Sequence, residues 1–159
     1  MTKFHTKITA LLDQHQIPYR LLPHSESVFT VEAAAAQRGV VAEEMVKSIL
    51  LKEKRGRYVM ACLLGLARLN PQAVRAHLGG DWKRLTFAQA EEIRRVTGYV
   101  QGAVAPLCLP ETIPVVFDQA IARCRQVNIS SGDPMAGIEL SAQNLIALSG
   151  ARLAVIAGE

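Results

Sequence analysis

Phe4, Ile8, Leu11, Leu12 and His15 recur at the spacing of one helix face, and Ile17-Pro18 ends the pattern, so the chain should open with an amphipathic helix. A short extended piece over 19–22 follows. Thr30 is placed to cap a second, short helix: Glu32 suits its first turn, the alanines 33–36 favour helix, and Gly39 stops it. Residues 45–52 read as a core strand. The polar, glycine-bearing stretch 52–57, set before a second apolar run at 58–64, predicts an antiparallel hairpin. Asn70-Pro71 starts a helix that Gly79-Gly80 closes, and 86–89 fits a capping box for another helix running to about Val96. The segment 98–106 is small, apolar and bracketed by glycine and proline. Strands are predicted at 113–118, 127–130 and 138–140, then a helix capped by Ser141 and ended by Gly150, and a last strand over 153–157.

No repeat, low-complexity tract or linker interrupts this order. The expectation is one domain over 1–159, of α+β class, with a mixed, largely antiparallel sheet and helices packed on it. Half of the 159 residues are hydrophobic and a fifth charged, which suits a globular chain. The net charge of +4 suits a polyanionic partner without requiring one. No signal peptide or long apolar span is visible, so no membrane association is expected. Three cysteines without CxxC spacing point to reduced thiols in a cytoplasmic protein, and four scattered histidines show no paired-ligand motif, so neither metal nor other cofactor is expected.

The core strand carries an oddity. Its alternation places Val46, Ser48 and Leu50 on one side, and Lys47 with Ile49 and Leu51 on the other. Lys47 is then either a strand-end lysine whose stem covers apolar surface, or an ammonium at the floor of a cleft. The loop 102–106 is the second candidate. Gly102, Ala103, Val104 and Ala105 each offer an N–H, Pro106 fixes the exit, and such donors can hold a developing oxyanion; a plain turn is the alternative. There is no GxSxG elbow, P-loop, HExxH or Rossmann fingerprint, and the cysteines sit in apolar surroundings that favour packed thiols. An enzyme built this way would form no covalent intermediate with a side chain.

The motif Val46-Lys47-Ser48-Ile49-Leu50, the Thr97-Gly98-Tyr99 step into Gly102-Ala103-Val104-Ala105-Pro106, the Val116-Phe117-Asp118 strand end and the Ser130-Ser131-Gly132 turn stand in the same order as in the YbaK/ProX family. The chain resembles these free-standing relatives of the editing domain of bacterial prolyl-tRNA synthetase from about Ile17 onward. The resemblance implies a curved, largely antiparallel editing-domain fold and hydrolysis of mischarged aminoacyl-tRNA. It also implies roles. Lys47, flanked by Val46 and Ser48, matches the lysine near the tRNA 3′ end, and Gly102, Ala103, Val104, Ala105 and Pro106 match the loop around the aminoacyl group. Ser130, Ser131 and Gly132 match the turn on the pocket wall, and His24, Phe29 and Thr30 resemble the segment before the second helix of alanine-editing members. Water would attack the ester with help from the substrate's own ribose hydroxyl or side chain.

Alanine at 103 and 105, where many relatives carry glycine or serine, and the Ser-Gly-Asp-Pro turn depart from that pattern. Alanine, serine and cysteine all remain open as the amino acid removed, with tRNA-Pro as one candidate carrier. The resemblance implies the aminoacyl-tRNA acceptor end as partner, with an aminoacyl-tRNA synthetase as a further one. A non-catalytic module binding tRNA ends or a small metabolite would use the same pocket, and Lys83, Arg84, Arg94 and Arg95 would serve either.

Overall fold

The computed structural model describes residues 5–25 and 30–158. The order is helix α1 (Lys7–Gln14), strand β1 (Tyr19–Pro23), α2 (Val31–Arg38), β2 (Val46–Glu53), β3 (Tyr58–Leu64), β4 (Arg68–Leu69), α3 (Pro71–Leu78), β5 (Leu85–Phe87), α4 (Ala90–Thr97), β6 (Val115–Asp118), β7 (Gln126–Ser130), β8 (Ala136–Ser141), α5 (Ala142–Ser149), β9 (Arg152–Ala154) and β10 (Ala157–Gly158). The fold is α+β. A five-stranded mixed sheet runs β5-β2-β3-β6-β9, a three-stranded antiparallel sheet runs β1-β8-β7, and β4 pairs with β10.

The centre of the larger sheet follows from its sequence. Val59 and Ala61 belong to a core with Leu51, Val74 and Ile156, while Met60 and Cys62 face a larger core with Ile8, Phe117, Ile129 and Leu145. A strand buried on both faces reads as an unbroken apolar run, as residues 58–64 do. β2 and β3 form the expected hairpin in antiparallel register, with Lys47 opposite Leu63 and Leu51 opposite Val59.

The short helices depend on their caps. Thr30 Oγ1 accepts from the Ala33 N–H at 3.0 Å, Asn70 Oδ1 from Gln72 N–H at 3.1 Å, and Ser141 Oγ from Asn144 N–H at 3.2 Å. Gly39 and Gly98 end α2 and α4 in the left-handed region, with φ of 69° and 80°.

Two expectations are corrected. Thr86 and Phe87 do not cap α4; they are strand, with Thr86 opposite Lys52 and Phe87 opposite Leu51, and the cap falls to Gln89 with Glu92. Leu85 buries itself against the smaller core, and pairing with β2 outweighs the capping pattern. The last strand is split, because Asp118 Oδ1 accepts from the N–H groups of both Ile156 and Ala157, at 2.9 and 3.1 Å, and turns the chain between β9 and β10. Phe4, assigned to the first helix face, lies outside the described residues. Among the described residues no helix is long and apolar enough to cross a membrane.

Candidate active site

Beside the start of β2 opens a cavity of about 320 Å³, lined by α2, β2, β5, the loop after α4 and the end of β7. Lys47, Gly102, Val104 and Ser130 line it together, and so do Val46, Ser48 and Thr30. The two sequence candidates, a lysine and a bare loop, thus share one hollow. Lys47 is half-buried and among the described residues makes no ion pair; burial lowers its pKa from the ordinary 10.5, and the charge of Glu32 opposes that.

The loop owes its shape to one turn and one tyrosine. Ala103 N–H donates to Val100 O at 2.9 Å, closing a four-residue turn whose third residue, Gly102, has φ of 91°. That region favours glycine. Tyr99 is buried under the loop, and its hydroxyl donates to Leu107 O at 2.6 Å, clasping the two ends. The Lys7 ammonium lies 4.3 Å from the centre of the same ring. A Cβ on Gly132, at φ 92°, would stand 3.1 Å from Tyr99 Cε1, so the late turn packs directly on that ring.

The closed turn changes the expected set of donors. Ala103 N–H is engaged within the loop, whereas among the described residues no protein acceptor meets the N–H of Gly102. Ala103 and Ala105 are buried behind the wall and do not line the cavity, and Pro106 lines a different hollow on the side of Leu107 and Leu109. Ala105 packs into the larger core, and both positions are buried, so a small apolar side chain suits each.

Ser131 and Gly132 also stand back from the cavity. Ser131 is fully buried, donating to Ala136 O at 2.8 Å and accepting from Asp133 N–H at 3.2 Å, so its hydroxyl holds the turn itself. The turn in its turn holds His24. Met135 O accepts from His24 N–H at 2.6 Å, and Pro134 O lies 2.8 Å from His24 Nδ1. With the Nδ1 proton on that carbonyl, Nε2 is left as an acceptor. It meets Arg38 Nε–H at 3.1 Å. His24 therefore touches the cavity only through Arg38. Its pKa is lowered from 6.5, chiefly by burial. Phe29 lies outside the described residues.

Arg38 is what sequence reasoning missed. It lines the cavity, is 9% exposed, and its Nη1 contacts Met45 Sδ at 3.5 Å. Among the described residues no carboxylate pairs with it, and burial pulls its pKa down to about 10. A Cβ at Gly137 would collide with its guanidinium, so the glycine opposite Ser130 makes the room. One signal was present in the sequence: Arg38 follows Ala34 and Ala35 by four and three residues, on one helix face, with small side chains leaving space. A cation in the last turn of a helix is ordinary, and that hid it. Phe87, Ile49, Ile93 and Gln101 complete the wall without having been singled out.

The cavity thus offers two cations, an open glycine N–H, two hydroxyls on β2 and β7, and apolar walls. Among the described residues that line it, none is a carboxylate, histidine or cysteine. Cys62 lies behind Ser48, 3.4 Å from its Oγ, with its thiol pushed up to about 12 by burial. Such a site can hold an anion or a polarised carbonyl, and among the described lining residues it presents neither a thiol nor a carboxylate or imidazole base to activate its hydroxyls.

Residues 25–148 match the aminoacyl-tRNA editing domain family. The chain belongs to this family. It is 28% identical over 117 residues to the multifunctional Ser/Thr-tRNA deacylase ProXp-y of Escherichia coli K12, covering 72% of this chain and 68% of that protein. It is 34% identical over 98 residues, 62% of the chain, to the Proline--tRNA ligase of Bacillus licheniformis, and spans 17% of the ligase's length. A crystal structure of a proposed trans-editing enzyme for prolyl tRNA synthetase superposes on this editing domain with a TM-score of 0.80 at 25% identity, covering 96% of this chain and 95% of that one.

Proposed function

We propose that this editing domain hydrolyses the ester of a mischarged aminoacyl-tRNA that carries a small amino acid, with Lys47, Arg38 and the Gly102 N–H grouped around the ester. The observation that carries the reading is the shared cavity of Lys47 and Gly102, closed behind by the loop that Tyr99 clasps. Water adds to the ester carbonyl, the bond to the ribose oxygen breaks, and that oxygen leaves with a proton as the free amino acid departs. Charge develops on the carbonyl oxygen, where a glycine N–H and two cations in a half-dry site are worth more than in water. An aminoacyl ester is already activated, so positioning and charge suffice without a side-chain nucleophile. The lack of a lining carboxylate, histidine or cysteine among the described residues supports attack assisted by the substrate's own ribose hydroxyl.

Apolar walls of Ala34, Val46, Val104 and Ile93 favour alanine, serine, threonine or cysteine over larger side chains. The relationship to a Ser/Thr-tRNA deacylase supports hydroxyl-bearing amino acids within that group. The relationship to a Proline--tRNA ligase supports a prolyl system as its setting, and co-purification with such a ligase tests that association.

A panel of mischarged tRNAs, incubated with the wild type and with Lys47→Ala, tests the reading. The wild type should release at least one small amino acid, and Lys47→Ala should lose about a hundredfold or more in rate while keeping its circular dichroism. Full-rate release by Lys47→Ala would overturn the assignment. No release from any tRNA, with binding intact, would leave a binding module in its place.

A further inference from the structure

One lining residue is out of keeping with the rest. Phe87 is 54% exposed, although Leu51, its register partner on β2, is fully buried and Leu85 on the same strand is 6% exposed. An exposed phenyl ring forgoes the stabilisation that burial of its area would bring. This one nonetheless stands on a firmly held backbone. β5 is paired to β2, Ala88 N–H donates to Leu50 O at 3.0 Å, and Gln89 begins α4 immediately after. Phe87 lines the same cavity as Lys47 and Gly102.

We propose that Phe87 is a stacking platform for the purine base of the esterified 3′-terminal nucleotide. This rests on the deacylase reading. The ester and the base are carried by one ribose, so an ester seated at Gly102 sets the base at the rim of the cavity, where a flat apolar surface is required. Base-to-aromatic stacking needs no particular hydrogen-bonding edge, which suits a base that all tRNAs share. The strand leading to that nucleotide has a path as well. Gln101 lines both this cavity and a shallower hollow formed with Arg94, Arg95 and Val100 along α4. Arg95 is paired with Glu91 at 3.3 Å, whereas Arg94 is exposed and among the described residues makes no ion pair, so its guanidinium is open to the preceding phosphate.

The test compares two small esters of one amino acid, seryl-adenosine and the same ester on a methyl riboside without a base. Phe87→Ala should raise KM for seryl-adenosine about tenfold more than for the base-free ester. Phe87→Trp should return the KM for seryl-adenosine toward the wild-type value, with the larger ring restoring the contact. Equal changes for both esters, or no change for either, would overturn the platform. If the wild type hydrolyses neither ester, the deacylase reading is left to the panel of mischarged tRNAs. The platform is then decided by titration with adenosine monophosphate, which Phe87→Ala should bind about tenfold more weakly than the wild type; equal affinity would overturn it.

Discussion

The two ends of β2 bury charge in opposite ways. At its C-terminal end Glu53 is fully buried and fully answered: Arg57 Nε and Nη2 donate to its two oxygens at 2.9 and 2.6 Å, and Lys83 N–H adds a third donor at 2.8 Å. Arg57, through those bonds first, holds the carboxyl at about 2, and its guanidinium also lies 4.1 Å over the Trp82 ring. At the N-terminal end Arg38 is nearly as deep, yet it meets a histidine, a thioether and a cavity. The first arrangement is complete without a visitor. The second has room for one, and complete satisfaction is what separates a structural ion pair from a binding site in this chain.

The largest effect is expected from breaking the closed end. Glu53→Ala removes three hydrogen bonds, leaves the Lys83 N–H without its acceptor and Arg57 with only Asp81, and should lower the melting temperature by on the order of 10 °C, while deacylation per folded molecule holds. A scanning-calorimetry shift of only about 2 °C would place Glu53 among ordinary surface pairs. The open end should answer the other way. Arg38→Met replaces an unpaired buried charge by an apolar chain of similar reach, so unfolding free energy should stay level or rise by about 1 kcal/mol, while deacylation falls tenfold or more. A loss of several kcal/mol in denaturant titration, with activity intact, would make Arg38 a structural residue and dissolve the contrast.

The smallest effect concerns pH. Burial keeps His24 below its ordinary 6.5, and a proton on Nε2 would set that N–H against the Arg38 Nε–H. Between pH 6.5 and the lower folded value the unfolded chain binds a proton that the folded chain does not, so stability falls as acid is added across that window. Deacylation should show a few-fold acid loss over the same range. In His24→Gln, whose amide oxygen can still accept from Arg38, both slopes should flatten. An unchanged acid limb in that variant would remove His24 from the support of Arg38.

Much of the fold was legible because local signals agreed with packing. The Thr30, Asn70 and Ser141 caps, the Gly39 and Gly98 stops and the β2–β3 hairpin all lie where residue chemistry puts them. What was not legible depended on partners distant in sequence. Thr86 and Phe87 became strand because β2 offered an edge, and the split between β9 and β10 depends on Asp118, 38 residues before Ile156. The same holds in the cavity. Lys47 betrayed itself by an apolar strand, and Gly102 by a glycine-bracketed loop. Arg38 became buried only because Gly137, on a strand a hundred residues later, lacks a side chain. The inward turn of Ala103 and Ala105 likewise follows from the core behind the loop, which their own sequence does not display.

Tyr99 gives the site a property that neither wall has alone. Because one ring tethers the glycine loop through Leu107 and carries Gly132 on its flank, the loop that borders the cavity and the late turn behind it are fastened to the same post. Gln101 and Val104, which line the cavity, can then change while the frame keeps its dimensions. Loop and turn are thereby set in register by a single side chain, and neither can shift without carrying Tyr99 with it.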